Sequence, residues 1–180
     1  LSAMTIEDAS VKAHIDDSWL QGRTTYGGMS AALALAGAKA LHPSDAPLRY
    51  AQISFIGPVS GDCAVNSRVL RQSKSSLFLE AGVSSETDFG TAATFAFSPD
   101  RKSHLDFNQY AMPDVPAPED LEPVPSHRLR PAFSDHFDMR PIGGPRFPAR
   151  GSDPTWITWV RFAEEPTCDP TIALLALGDA

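Results

Sequence analysis

The sequence has few cysteines and fewer positive than negative charges. Its only two cysteines, Cys63 and Cys168, are far apart and fit neither a metal-binding nor a redox spacing, so we expect two free thiols. Lys and Arg total 15 against 22 Asp and Glu, a formal net charge of −7. Since phosphate backbones are bound by basic surfaces, this balance argues against nucleic acid as the main partner. It still permits a small anionic ligand held by a local basic cluster.

Segments that direct a chain into or across a membrane are also missing. No apolar run approaches the roughly 20 residues that span a bilayer. The first residues show no basic segment followed by an apolar one, which is the pattern of a secretion signal. We therefore expect a cytoplasmic protein that does not act on membranes.

Several sequence patterns of well-known catalytic sites are absent as well. The sequence contains no nucleophile elbow and no phosphate-binding glycine loop. The five histidines share no metal-ligand spacing, and we interpret each as a surface or loop residue. They are His14, His42, His104, His127 and His136.

The most informative segment that is present runs from Gly27 to Leu41 and reads GGMSAALALAGAKAL. Its only polar side chains are Ser30 and Lys39. A helix that is apolar on every side has no face for water, so it must be buried all round. The residue before a proline avoids helical dihedral angles, so His42-Pro43 is expected to end it.

Short strands surround this helix in the sequence. One short extended segment, Ser10–Ile15, precedes it, and four segments with alternating apolar residues follow it, each bounded by turn residues. Short turns between successive strands predict an antiparallel meander. The four candidates are Tyr50–Ile56, Cys63–Leu70, Leu77–Ser84 and Thr91–Phe97.

One buried helix followed by a meander has few packing solutions. A flat sheet would cover only one side of the helix, so the sheet must curl around it. We therefore predict an α+β hotdog fold, in which an antiparallel sheet wraps a central apolar helix, for an N-terminal domain of residues 1–98.

Residues 99–131 change character and contain seven prolines. This composition is typical of an extended linker. Strands are then expected again at Phe133–Arg140 and Thr155–Ala163, on either side of a turn at 141–145. Asp169-Pro170 provides an N-cap and a first helical residue for a second apolar helix, Thr171–Ala180.

This second helix is expected to need a sheet of its own. Since it is apolar on nearly every side and no strands follow it, residues 132–180 are interpreted as the start of a second hotdog domain that is incomplete in this chain. The sequence thus predicts a double-hotdog arrangement, with the chain a fragment of a longer protein or the second helix covered by something else.

Two features could carry chemistry. Glycines at a helix start expose backbone N–H groups, so Gly27 and Gly28, after Tyr26, could hold a thioester carbonyl and its developing negative charge. Alternatively, they only permit a tight turn. Asp179, in its apolar surroundings, could act as a general base that deprotonates water, or it could be a solvated acid near a helix end.

A third feature is a basic set spread over one strand and its following turn. Arg68, Arg71 and Lys74 could contact the phosphates of a nucleotide-bearing ligand. The alternative is that they form charge pairs on a solvated face of the sheet.

Together these segments resemble the acyl-CoA thioesterase II family of double-hotdog proteins. Trp19 with Tyr26–Ala32 is similar to the family's glycine pair and alanine-rich helix, and Ile53–Pro58 to its phenylalanine-to-proline strand end. Val69–Ser75 resembles its arginine-containing strand and turn, with Ser73-Lys74 where Gly-Arg is usual. Trp159–Arg161, followed by Leu174–Ala180, is the fourth stretch. The order of the four is more specific than any one of them.

The resemblance implies hydrolysis of a fatty acyl-CoA to free acid and CoA, with no metal or organic cofactor. It implies that Asp179 activates the water, while its Thr or Ser and Gln partners would lie beyond residue 180. The implied substrate-binding residues are Tyr26, Gly27, Gly28, Arg71 and Lys74.

Two other functions stay open. An enoyl-CoA hydratase of this fold would need a His near the central helix, and neither predicted helix contains one. A non-catalytic acyl-CoA-binding or assembly module is the other. Hotdog sheets commonly pair edge to edge, so we expect a homo-oligomer, a dimer of double hotdogs.

Overall fold

The structure of the protein, a computed structural model, describes residues 4–107, 109–125, 130–142 and 156–180. Its main sheet is antiparallel, has six strands and wraps around helix α1 (Gly27–Leu41). The strand order is β1-β2-β6-β7-β8-β5. The strands are β1 (Thr5–Glu7), β2 (Ser10–Ile15), β5 (Leu48–Phe55), β6 (Gly61–Gln72), β7 (Leu77–Ser84) and β8 (Phe89–Phe97). A two-residue pair, β3 (Leu20–Gln21) and β4 (Thr24–Thr25), leads into the helix. The predicted hotdog fold is confirmed.

Helix α1 is buried as its sequence requires. Every residue from Gly28 to Ala38 is buried. The inner faces of the central strands supply the surrounding apolar side chains. Small residues let the sheet come close: a Cβ at Gly37 would lie 2.6 Å from Cβ of Val65. The helix ends at the predicted place, where the His42 amide donates to the Ala38 carbonyl at 2.9 Å.

The predicted meander of four successive strands was wrong in one respect. Strand β5 pairs with β8, and β6 pairs with β2 and β7. The reason lies in residues 57–60, which cross the end of the sheet instead of making a hairpin. Val59 is buried there, and its carbonyl accepts from the Thr25 amide at 2.8 Å and from the Thr25 hydroxyl at 2.6 Å. This crossing segment is therefore tied to the entrance of α1.

After the proline-rich segment the chain forms β9 (Phe137–Pro141) and β10 (Thr158–Phe162), which pair with each other. The strand predicted from Phe133 was wrong over its first residues, because 132–136 form a 3₁₀ helix. The Ser134 hydroxyl stabilises this turn by donating to the Pro131 carbonyl at 2.6 Å. Most of the predicted turn at 141–145, and Thr155, lie outside the described residues.

The proline-rich segment packs along these two strands. Within the described part of 99–131 the only regular element is a short 3₁₀ helix, Pro118–Asp120. Arg140 donates to the Pro118 carbonyl at 2.8 Å, and the Trp159 indole donates to the Pro116 carbonyl at 3.0 Å. The extended conformation agrees with the linker composition, while the domain boundaries stay predictions.

The second helix, α2 (Pro170–Leu177), lies antiparallel to α1. Asp169 caps its start as predicted, accepting from the Thr171 amide at 2.8 Å. The same carboxylate forms an ion pair with Lys39, at the end of α1, at 2.5 Å. At the other end the Tyr26 hydroxyl donates to the Ala176 carbonyl at 2.8 Å. Each helix start therefore meets the other helix's end, which places opposite partial charges together. Neither helix of the described residues is long and apolar enough to cross a membrane.

The close approach at Gly37 yields a stability prediction. Alanine is the better helix former by about 1 kcal/mol. At this position, however, its methyl group would overlap the branched Val65 side chain, which has no flexible end to move away. We expect Gly37→Ala to lower the free energy of unfolding by about 1–3 kcal/mol. Urea denaturation would measure this, and a stabilised variant would show that α1 and β6 do not pack as described.

Candidate active site

The site lies where the start of α1 meets the end of α2. Asp179 was predicted to lie on the second helix, but α2 ends at Leu177. The Gly178 amide closes the helix by donating to the Leu174 carbonyl at 3.1 Å. Asp179 follows in a turn, and its Oδ2 accepts from the Gly28 amide at 3.1 Å. The fold thus joins two features that the sequence identified separately.

Glycine is needed at positions 27 and 28 because other groups approach the backbone closely there, and not because of an unusual backbone conformation. Neither Gly27 nor Gly28 has a positive φ. A Cβ at Gly27 would lie 2.5 Å from Oδ2 of Asp179 and 2.8 Å from the Phe55 ring. A Cβ at Gly28 would overlap the Ala176 carbonyl oxygen. A side chain at Gly28 would push the α2 turn away from α1, and one at Gly27 would displace the Asp179 carboxylate or the Phe55 ring.

Tyr26, expected to contact substrate, proves to be a buried core residue. It is 1% exposed, and its ring stacks on Phe133 with centroids 4.3 Å apart. Burial and the neighbouring Asp179 carboxylate raise the pKa of the phenol well above its ordinary value. Tyr26 therefore stays protonated and donates to Ala176, and a substrate does not reach it.

Asp179 experiences two opposing influences. Partial burial raises the pKa of its carboxyl, because desolvation disfavours the charged form. The hydrogen bond from the Gly28 amide lowers the same pKa. The residue as a whole is exposed, so solvent and ligand reach it. A partly desolvated carboxylate that water can reach is suited to accept a proton.

The Gly28 amide is committed to Asp179, which changes the predicted role of the glycine pair. Of the two amides expected to hold a carbonyl, only that of Gly27 has no acceptor among the described residues. It lies at the positive end of α1, where a developing oxyanion would be favoured.

A cavity of about 420 Å³ lies between the two helices and residues 162–168; Met29 and Ala176 line it, whereas Gly27, Gly28 and Asp179 do not. Its wall is formed by apolar side chains of both helices and of the flanking elements, and acidic residues lie at one side. The apolar lining residues are Trp19, Met29, Ala32, Phe162, Ala163, Pro166, Ile172, Ala173 and Ala176. The sequence pattern could not have identified them as a set, because the antiparallel helix pairing brings them together.

His136 also lines the cavity and was missed as a site residue. Its ring stacks on Trp19 with centroids 3.9 Å apart, and its Nε2 lies 2.9 Å from the Ser18 hydroxyl. The prediction of a surface or loop histidine was therefore wrong here. A histidine within a 3₁₀ helix, with an aromatic residue distant in sequence, carries no recognisable pattern.

The basic set is not part of this constellation. Arg68 pairs with Glu80 at 2.5 Å on the exposed face of the sheet, which supports the charge-pair interpretation. Arg71 and Lys74 are exposed and lie at the opposite end of the sheet. The end of α1 is near Ser67, whose carbonyl is 3.2 Å from His42 Nε2, and both basic residues lie further along. Phosphate binding by Arg71 and Lys74 stays a prediction. Such phosphates would belong to a part of the ligand that lies far from Asp179.

The cysteines fit the expected free thiols. Cys63 is buried and Cys168 is half-buried, and neither forms a disulfide. Burial raises the pKa of the Cys63 thiol to about 11, so it remains protonated. Across the described ranges, no group of three or more His, Cys, Asp or Glu side chains is placed to hold a metal ion.

Comparison with known proteins gives one family match. Residues 15–98 match the family model described as the acyl-CoA thioesterase N-terminal domain. The resemblance predicted from the sequence is thereby confirmed over this part of the chain. A search of the curated proteins finds no significant match.

Solved structures share the fold at low identity. A conserved protein of unknown function with a hot dog fold from Alicyclobacillus acidocaldarius has a TM-score of 0.87 and 21% identity over 98% of this chain and 66% of that one. The tesB protein of Mycobacterium avium subspecies paratuberculosis has 0.74 and 16%, covering 97% and 64%. Acyl-CoA thioesterase II TesB2 from Mycobacterium marinum has 0.70 and 16%, covering 98% and 66%. The chain thus spans about two thirds of the length of each.

The raised pKa of Asp179 predicts a pH-dependent stability. A native pKa above the unfolded value means that the folded protein binds the proton more tightly. The ionised carboxylate therefore lowers stability as pH rises from the unfolded pKa through the folded pKa. Asp179→Asn keeps an oxygen acceptor for Gly28 but does not ionise. We expect its stability, relative to the unsubstituted protein, to increase across this pH window and then to level off.

Urea denaturation of both proteins between pH 3 and pH 7 measures this difference, and all other carboxyl groups cancel in the comparison. A difference that does not change with pH, or that decreases as pH rises, would contradict the described environment of Asp179.

Proposed function

Because residues 15–98 carry the acyl-CoA thioesterase N-terminal domain, we propose that the protein hydrolyses the thioester of a fatty acyl-CoA to the free acid and CoA. The observation that carries the proposal is the Asp179 carboxylate at the start of α1, held by the Gly28 amide in the turn that follows the cavity-lining residue Ala176. An acid, backbone donors at a helix start and a space for an apolar chain are the parts that this reaction needs.

The proposed reaction begins with a water molecule between Asp179 and the thioester carbonyl. Asp179 accepts a proton as the water oxygen bonds to the carbonyl carbon. The carbonyl oxygen becomes an oxyanion, for which the Gly27 amide is the available donor at the helix start. When the oxyanion collapses, the carbon–sulfur bond breaks. The proton on Asp179 then passes to the leaving sulfur, so the products are a carboxylic acid and the thiol of CoA.

The acyl chain is proposed to bind in the cavity between the helices. Met29 and Ala32 of α1 face Ala173 and Ala176 of α2 across it. The space between the helices is therefore wide enough for an acyl chain, because the α2 side chains that line it here, Ala173 and Ala176, are small. The Asp179 turn lies at the same ends of the helices as Ala176. We expect a chain bound there to extend its thioester toward this end of the helices.

Further properties are proposed from the family resemblance alone. We propose that no metal or organic cofactor takes part, that the protein is a cytoplasmic dimer of double hotdogs, and that Thr or Ser and Gln partners complete the site. A non-catalytic acyl-CoA-binding module is the second candidate, since binding requires the cavity but not the carboxylate. His136 at the cavity is the feature that a hydratase would use, but Ser18 and Trp19 engage its ring.

The kinetic test uses the full-length protein and a panel of acyl-CoAs, with released CoA measured by a thiol reagent. We expect Asp179→Asn to lower kcat by about 100-fold or more, since general-base catalysis contributes this much, with little change in KM. Asp45→Asn, at an exposed acid remote from the site, is the control. Undiminished turnover in Asp179→Asn would refute the assigned role, and binding without turnover in the unsubstituted protein would favour the non-catalytic module.

The cavity yields a separate prediction about chain length. Ala173→Leu would add about three carbons to its wall, and we expect kcat/KM to decrease for long acyl chains by about tenfold more than for short ones. The ratio of kcat/KM for long chains to kcat/KM for short chains is compared between the variant and the unsubstituted protein. A general loss of activity leaves this ratio unchanged, so no further control is needed. An unchanged ratio would show that the acyl chain binds elsewhere.

A further inference from the structure

The hydroxyl group of Tyr26 lies where the two helix ends meet. It donates to the Ala176 carbonyl at 2.8 Å, from the residue that directly precedes α1. The Asp179 carboxylate that follows Ala176 in the chain lies close enough to raise the pKa of the same phenol. The hydroxyl thus bonds to the residue at which the turn that carries the Asp179 side chain begins.

The surroundings of this turn leave little room for movement. A Cβ at Gly28 would lie 2.6 Å from the Tyr26 hydroxyl oxygen and would also overlap the Ala176 carbonyl. The Tyr26 ring packs between two phenylalanines. It stacks on Phe133 and makes an edge contact with Phe137, whose ring centroid lies 5.7 Å away. The ring and the hydroxyl thus make separate contacts: the ring packs against phenylalanines, and the hydroxyl bonds to the Ala176 carbonyl.

We propose that Tyr26 is a positioning residue, whose hydroxyl holds the 176–179 turn so that the Asp179 carboxylate meets the Gly28 amide. This inference rests on the proposed function and deepens it, because Tyr26 would act through Asp179 and would not touch the substrate. The competing view is that Tyr26 only packs, in which case its ring matters and its hydroxyl does not.

Few groups act on the Asp179 carboxyl besides this contact. Within the ranges that the structure describes, burial and the Gly28 amide set its pKa, and the Tyr26 phenol is the titratable group coupled to it. The phenol stays neutral in the range where a carboxyl titrates, because burial and Asp179 raise its pKa. A change in the titration of Asp179 after loss of the hydroxyl therefore reports the position of the turn.

The test compares Tyr26→Phe with Tyr50→Phe in the full-length protein. Both variants remove one phenolic oxygen. Tyr50 is half exposed, and its hydroxyl donates to Gln52 at 2.7 Å, remote from the helix ends. For each protein, kcat and KM are measured against pH, and hydrogen exchange of the Gly28 amide is followed by NMR.

For Tyr26→Phe we expect kcat to decrease by about tenfold, as for a misplaced catalytic group, with KM within about twofold. The acid limb of kcat/KM should shift in pH, because Asp179 loses both the Gly28 amide bond and the burial that set its pKa. The Gly28 amide should exchange faster, and Tyr50→Phe should match the unsubstituted protein in every respect. An unchanged pH profile and unchanged Gly28 exchange in Tyr26→Phe would overturn the proposal.

Exchange of the Gly28 amide does not depend on turnover, so the two proposals fail separately. A protein inactive on every acyl-CoA refutes the thioesterase, while faster exchange in Tyr26→Phe would still support the positioning role. If Tyr26→Phe does not fold, Phe133→Leu supplies the test, because it removes the stacked ring and keeps the hydroxyl bond. We expect it to keep the pH profile and the Gly28 exchange, and a shift in both would refute a role for the hydroxyl.

Discussion

The antiparallel pairing of α1 and α2 is the constraint on which the site depends. At one end Lys39 meets the Asp169 carboxylate, and at the other the Gly28 amide meets Asp179. The two contacts fix both the register and the direction of the helices. With them fixed, the cavity between the helices and the position of the carboxylate at the start of α1 follow. Glycine and alanine in α1 are the condition for this approach, because larger side chains would hold the second helix away.

The pairing also explains why Asp179 is chemically unusual. The carboxylate is near apolar groups and the Phe55 ring, which favours its neutral form, and it faces a backbone amide at a helix start, which favours its charged form. Burial has the larger effect. The protein therefore places an acid with a raised pKa at the helix junction that also forms the cavity, an arrangement more typical of a functional site than of a structural one.

Much of the fold follows from local pattern. The all-apolar stretch 27–41 required a wrapped helix, and the predicted ends of α1 and β7 agree with the structure. Strand pairing was less predictable, because a crossover such as residues 57–60 has the same composition as a hairpin turn. The 3₁₀ helix at 132–136 was missed for a similar reason, since Phe133 and Phe137 also fit an alternating strand. Side-chain hydrogen bonds, which sequence periodicity does not report, decide both cases.

The site was predictable in part. Gly27, Gly28 and Asp179 each broke the pattern of an ordinary helix, and the fold brings them together. The bond of Tyr26 was not predictable, because an aromatic residue before a glycine pair gives no sign that its hydroxyl will bond to a carbonyl 150 residues away. Arg71 and Lys74 were grouped with the site by family resemblance, and the sheet separates them from it. Long-range contacts of this kind depend on the helix pairing, which no single segment encodes.

The account is tested most directly by an NMR pH titration of the Gly28 amide in the unsubstituted protein. If the Asp179 carboxylate accepts from this amide, the Gly28 proton and nitrogen shifts should follow a single ionisation with a midpoint above the ordinary aspartate range. The same titration should disappear in Asp179→Asn. A Gly28 resonance that does not change between pH 3 and pH 7, or one that still titrates in Asp179→Asn, would contradict the helix pairing on which the account depends.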